Sequence, residues 1–166
     1  MSEREVSPEE TRCETSWIVL PGDCNALHTV FGGQVCAWVD ICGAISAQRF
    51  ARTNVVTAAM DQMVFKAPIR QGKIALLRAT VNWSGRTSME VGVRVEEEDP
   101  MTGIRTHTST AYLTFVSVGP DLRPVPLPRL VPTTDDELRR WREAEHRRAD
   151  RLSHRDHILA SRNGSR

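Results

Sequence analysis

Residues 33–52 form a stretch that would be apolar on nearly every side of a helix. Val35, Ala37, Trp38, Val39, Ile41, Ala44, Ile45, Ala47 and Phe50 leave no continuous polar face, and there is no proline. Twenty such residues are too many for a strand and suit a helix. A helix apolar all round must be buried, so the rest of the chain has to wrap it. What surrounds it in sequence reads as strands. Residues 13–20 form one, ended by Pro21-Gly22-Asp23. Four more are expected at 55–65, 74–83, 87–97 and 104–118, with turn residues at Gln71-Gly72, Ser84-Gly85 and 99–103. The third alternates cleanly, Met89, Val91, Val93 and Val95 against Glu90, Gly92, Arg94 and Glu96. The expected class is α+β: an antiparallel β-sheet wrapped around one long buried central helix. A sheet cannot cover every side of such a helix, so a second subunit is expected to close the core.

The flanks differ in character. Residues 1–11 are charged and read as a disordered leader, with no apolar run of the signal-peptide kind. Residues 12–119 hold the folded domain. Residues 120–133 form a connector with five of the nine prolines, extended because proline fixes φ and donates no ladder bond. Residues 134–166 read as a charged helical tail opened by the T-x-x-E capping box of Thr134 and Glu137. Its apolar stripe is thin: Leu138, Trp141, Ala149 and Leu152. A formal net charge of +1 on 166 residues gives no field that would recruit nucleic acid or an anionic membrane. No uncharged run is long enough to span a bilayer. Cys13, Cys24, Cys36 and Cys42 make no CxxC and are expected as reduced thiols in a cytoplasmic protein.

Between Thr29 and Gln48 the only charged residue is Asp40, in the middle of the apolar helix. An unpartnered buried carboxylate is costly, and no basic residue lies three or four positions away. Asp40 is therefore paired across an interface, bonded to a neighbouring strand, or held for chemistry. Gly32-Gly33 at the helix start allows close approach to the backbone, and free N–H groups there can hold an oxyanion. A plain tight turn is the simpler alternative. Ser84-Gly85-Arg86-Thr87-Ser88 can offer a guanidinium and hydroxyls to phosphate, although a plain hairpin accounts for its spacing. His28 reads equally as a base or a loop histidine. Cys24 and Cys36 read as idle thiols, and His146, His154 and His157 as solvated.

Residues 25–40, N-A-L-H-T-V-F-G-G-Q-V-C-A-W-V-D, resemble the N-x-x-G-x-x-F-G-G-x-x-x-x-x-x-D signature of hot-dog acyl-CoA thioesterases. The closest likeness is to the cytosolic acyl-CoA hydrolases, bacterial and mammalian. Val55-Val56-Thr57, the run from Phe65 to Ile69, Gly85-Arg86-Thr87-Ser88 and the run from Thr110 to Val116 match further family segments in order. The one clear departure is His28, where the family usually has glycine.

The resemblance implies a hot-dog fold and hydrolysis of fatty acyl-CoA to free fatty acid and CoA. It implies that Asp40 is the catalytic carboxylate, acting as general base on water or attacking directly to give a mixed anhydride. Asn25 would come from the other subunit. Backbone N–H groups at Gly32 and Gly33 would polarise the thioester carbonyl. An apolar setting would raise the pKa of Asp40 and suit it to act as a base. Arg86, Thr87 and Ser88, with Lys66, would take the CoA phosphates. The family assembles as dimers, often trimers of dimers. No metal or prosthetic group is implied, since coenzyme A is part of substrate and product. The competing readings are a non-catalytic acyl-CoA-binding regulatory protein, to which the His28 departure lends weight, and a hot-dog hydratase, whose His-plus-acid motif is not evident.

Overall fold

The computed structural model describes residues 4–61 and 63–163. In chain order the elements are β1 (Glu5–Val6), β2 (Cys13–Ile18), α1 (Gly32–Ala51), β3 (Asn54–Met60), β4 (Ile74–Ser84), β5 (Ser88–Glu98), β6 (Arg105–Val118), β7 (Arg129–Leu130) and α2 (Asp135–Asn163). Five strands make one antiparallel sheet in the order β2-β4-β5-β6-β3. The sheet curls round α1, the α+β hot-dog arrangement. Ala79, Val93 and Ala111 lie side by side across three strands, as do Val81, Val91 and Leu113, all essentially without exposure. These rows form the floor on which α1 packs Val39, Cys42, Ala47 and Phe50, each fully buried.

Helix α1 approaches the sheet most closely at Gly43. A Cβ there would stand 3.3 Å from the Phe115 ring and 3.5 Å from Val93 Cγ2. The helix ends at Arg52, whose left-handed φ of 56° places its N–H on Gln48 O. The expectation of burial all round is met only in part. Gly33, Ala37 and Ile41 lie on one helical stripe and stay exposed in the single chain, Ile41 by 51%. The outer edge of β3 is also unpaired, with Val56 exposed.

Two expectations need correction. The leader is ordered from Glu5: β1 pairs in parallel with β7, which buries Val6 and Leu130. Thr11 then plugs into the sheet, its hydroxyl donating to Pro8 O and accepting from Val81 N–H at 3.0 Å. A two-residue strand is too short to show an alternation that sequence can reveal. Residues 1–3 of that expected leader lie outside the described residues. The strand expected at 55–65 stops at Met60, after a bulge between Thr57 and Ala59. Asp61 N–H still reaches Tyr112 O at 2.9 Å, and the following segment leaves the ladder. Residue 62 lies outside the described residues.

The Pro-rich segment is extended and pinned by Val125 N–H to Ser117 O and Leu127 N–H to Arg86 O. Helix α2 opens on the capping box, with Glu137 N–H donating to Thr134 Oγ1 at 3.2 Å and Thr134 N–H to Glu137 Oε2 at 3.1 Å. Residues 164–166 of the expected tail lie outside the described residues. The helix docks across the outer face of the sheet, and its contacts differ from the expected stripe. Leu138 and Ala149 are exposed, while Ala144 is fully buried. Trp141 packs tilted on Trp83 at 6.2 Å, and Arg147 lies 3.6 Å over the Tyr112 ring. Guanidinium stems do the packing that aliphatic side chains were expected to do. Among the described residues no helix is long and apolar enough to cross a membrane.

Burial alone would push the Glu137 carboxyl up, but the N–H and hydroxyl groups of Thr133 and Thr134 outweigh it and hold the group below its ordinary 4.5. A carboxylate depressed in the folded state adds stability above its unfolded pKa and loses it as pH falls through the folded one. Glu137→Gln should therefore lower Tm at neutral pH, and the gap to the parent should close as pH falls below the ordinary 4.5. Thermal melts across that range check it.

Candidate active site

Asp40 sits mid-way along α1, partly exposed, where the helix runs beside β3. Its Oδ1 accepts a 2.7 Å hydrogen bond from Thr57 Oγ1. Thr57 immediately precedes the β3 bulge, where one extra residue re-aims the strand against β6. Asp40 is thus neither stranded nor ion-paired within the chain: a hydroxyl from the neighbouring strand holds one carboxylate oxygen. Among the described residues nothing donates to the other oxygen. In sequence, Thr57 belongs to the family-like segment Val55-Val56-Thr57 and carries no role of its own. The available signal was a lone hydroxyl in the apolar run Val55-Val56-Thr57-Ala58-Ala59.

The loop before α1 is tightly built. Asn25 Oδ1 accepts from Leu27 N–H at 2.9 Å and from Thr29 Oγ1 at 3.2 Å. Asn25 N–H bonds Thr29 O and His28 N–H bonds Asn25 O. Asn25 is exposed, and among the described residues nothing accepts from its Nδ2. His28 has a φ of 55°, the left-handed conformation that glycine adopts freely. The loop therefore turns through a left-handed residue, with a histidine bearing the strain. His28 Nδ1 lies 3.4 Å from Gln71 Oε1, and no hydrogen bond joins it to Cys24, Cys36 or Asp40 among the described residues. The Cys24 thiol donates to Leu20 O. Burial pushes the Cys42 thiol up to about 12, which disqualifies it as a nucleophile.

Gly32 and Gly33 open α1 with no side-chain cap from Phe31. The first intrahelical bonds are Gln34 N–H and Val35 N–H to Phe31 O, which leaves the Gly32 and Gly33 N–H groups without partners among the described residues. A Cβ on Gly33 would lie 2.6 Å from Phe31 Cε1, and one on Gly32 would touch the Phe65 ring at 3.8 Å. Both rings are largely exposed. Phe31 and Phe65 thus flank the glycine pair. Seven residues of helix separate Gly33 from Asp40, about 10 Å along the axis. Gly33 and Asp40 of one chain thus lie about two helical turns apart.

Arg86, Thr87 and Ser88 form the β4–β5 turn, closed by Gly85 N–H to Ser88 O at 2.8 Å. Arg86 lines a groove of about 400 Å³ with Arg129, Trp141 and the Pro126–Pro128 run. Lys66 is exposed, its N–H on Thr108 O. Among the described residues, no hydrogen bond or ion pair joins Lys66, Arg86 or Asn25 to Asp40 within the chain. A larger hollow of about 700 Å³ lies on the outer face of the sheet below α2. Its Arg78 and Arg94 are already paired with Glu14 and Glu96, so it is not an open anion site.

The thioesterase superfamily model matches residues 27–104, the span from the Asn25 loop through β5. An uncharacterized acyl-CoA thioester hydrolase, YkhA, of Bacillus subtilis is 38% identical over 159 residues, 93% of this chain and 92% of the relative. The chain belongs to the thioesterase superfamily. An apo-hexameric acyl-CoA thioesterase superposes with a TM-score of 0.88 at 38% identity, covering 91% of this chain and 97% of the other. An acyl-CoA hydrolase of Staphylococcus aureus, solved with butyryl-CoA, CoA and CoA disulfide, superposes with a TM-score of 0.84 at 32% identity, covering 95% and 98%. That hydrolase has also been solved as single alanine variants of an asparagine, an aspartate and a threonine.

A non-glycine residue held in the left-handed region costs about 1 kcal/mol. His28→Gly should relieve that strain and raise stability by about 0.5 kcal/mol, after the extra chain entropy of glycine is counted. Urea titration at fixed protomer concentration measures it.

Proposed function

We propose that this protein is an acyl-CoA hydrolase that converts fatty acyl-CoA to free fatty acid and CoA, with Asp40 as general base or nucleophile. The observation that carries this reading is the Asp40 carboxylate, held by Thr57 on one oxygen and open on the other, in an otherwise apolar helix. The spacing of Asn25, Asp40 and Thr57 supports it. The asparagine, aspartate and threonine replaced in the S. aureus hydrolase are separated by the same numbers of residues.

Thr57 restrains the carboxylate so that its free oxygen faces the reacting group. As general base, that oxygen takes a proton from water as the water oxygen bonds to the thioester carbon. The tetrahedral oxyanion collapses, the C–S bond breaks, and the CoA thiolate recovers the proton. As nucleophile, the same oxygen forms a mixed anhydride that water then cleaves. Either course needs only acyl-CoA and water. The Gly32 and Gly33 N–H groups are suited to the carbonyl oxygen, and the free Nδ2 of Asn25 to the water or the carbonyl. With Gly33 and Asp40 of one chain about two helical turns apart, a complete site takes its Asp40 from one subunit and its Asn25, Gly32 and Gly33 from another. The unpaired β3 edge and the exposed Gly33, Ala37 and Ile41 stripe are suited to a dimer. The hexamer among the related structures supports a trimer of dimers. Arg86, Thr87, Ser88 and Lys66 are suited to the CoA phosphates.

Release of free thiol from acetyl-, hexanoyl-, lauroyl- and palmitoyl-CoA tests the reading. Asp40→Ala should lower kcat by about 10²–10⁴-fold with assembly intact, and Thr57→Ala by about tenfold. Turnover unchanged in Asp40→Ala removes the mechanism. Asn25→Ala should lower kcat more than it raises KM. Mixed oligomers of the two inactive variants, Asp40→Ala and Asn25→Ala, should regain activity, because some interfaces then carry one intact residue of each kind. Mixtures that stay inactive would place the whole site in a single chain.

A further inference from the structure

On the outer face of the sheet, α2 makes a contact that reaches back to the candidate site. Glu90, near the start of β5, is 1% exposed. Arg147 neutralises it through Nη2 at 2.7 Å and Nε at 3.2 Å, while stacking on Tyr112. One turn further along α2, Arg151 lies beside the same carboxylate, but only at 3.5 Å. Its short bond, Nη1 to Oδ2 at 2.6 Å, goes to Asp61. The ion pair is three-quarters buried, unlike a surface pair that solvent would screen. Glu90 does not need Arg151 for its charge balance; Asp61 does.

Asp61 is where the chain leaves the sheet. Four residues before it, Thr57 holds Asp40. Four residues after it, Phe65 lies against Gly32. Asp61 is gripped twice, by its N–H on Tyr112 O and by its carboxylate on Arg151. An edge strand weakened by a bulge frays unless its end is fastened. We infer that Arg151 of the C-terminal helix is a positioning residue: through Asp61 it fastens the end of β3 and so sets residues 63–69, with the Phe65 wall, against the Gly32 amide. This rests on the proposed hydrolase reading. It adds that α2, on the opposite face of the sheet from Asp40, tunes how the acyl chain is held.

The test compares the full-length protein with Asp61→Asn, Arg151→Gln, Arg151→Lys, the double variant Asp61→Asn with Arg151→Gln, and the surface control Arg139→Gln. Two readouts are taken: CoA release from butyryl- and palmitoyl-CoA, and amide hydrogen exchange across residues 63–69. Asp61→Asn and Arg151→Gln should speed exchange in 63–69 while the rest of α2 stays protected. Both should lower kcat/KM about tenfold, more for palmitoyl- than for butyryl-CoA. Arg151→Lys should recover part of the loss, and the double variant should be no worse than either single one. Exchange and chain-length preference unchanged from the parent would overturn the inference. Uniformly faster exchange with equal losses on both substrates would also overturn it, as general destabilisation. A parent that releases no CoA from any substrate would instead remove the hydrolase reading, and the exchange of residues 63–69 would still decide whether Arg151 fastens them.

Discussion

At Gly43 the absence of a side chain lets α1 settle on Phe115 and Val93, and the rest of the molecule is disposed around that approach. The rows Ala79, Val93, Ala111 and Val81, Val91, Leu113 offer small and branched side chains in register beneath it. A helix lying this close on a curled sheet is covered on the sheet side only. The opposite stripe of Gly33, Ala37 and Ile41 is left open, and Asp40 lies at its border with β3. Core packing thus places a carboxylate, which a wholly buried helix could not tolerate unpaired, within reach of the Thr57 hydroxyl.

The outer face follows a different physics. Its central strand carries Glu90, Arg94 and Glu96, with Gly92 between them, and α2 covers part of it with Arg147 and Arg151. Two guanidiniums meet two carboxylates there, Glu90 and Asp61, so charge is balanced without an aliphatic seam. A buried ion pair of this kind is weak evidence for net stability, because desolvation offsets attraction. It does tie the helix to named positions on the sheet, Glu90 of β5 and Asp61 at the end of β3.

The half-sites within one chain account for what a single copy can do. Asp40 with Thr57 supplies a restrained carboxylate; Asn25 with Gly32 and Gly33 supplies donors between the Phe31 and Phe65 rings. About two turns of helix keep them apart. In the proposed reaction assembly would then be part of the chemistry, and the apolar stripe between the two groups is where copies would meet.

Much of this was legible in the residues. Period and length marked α1, alternation marked β5, and the capping box marked the start of α2, because these signals are local and repeat along the chain. The lone charge at Asp40 stood out because charge in an apolar helix is costly wherever the helix packs. What sequence did not show came from pairing across distance. The order of Val6 and Thr11 depends on β7 and β4, which lie far along the chain. The docking of α2 depends on arginines, whose partners Glu90 and Asp61 lie far back in the chain. Thr57 became part of the site only when a bulge turned its hydroxyl toward Asp40. His28 read as a departure from glycine, but the backbone holds it at a left-handed φ all the same. Residue types and their spacing determined the elements and singled out the Asp40 carboxylate. Which hydroxyl holds that carboxylate, and which helix fastens the strand beside it, was decided only by the tertiary structure, since both depend on groups brought together by strand register and by the closeness of one glycine to the sheet.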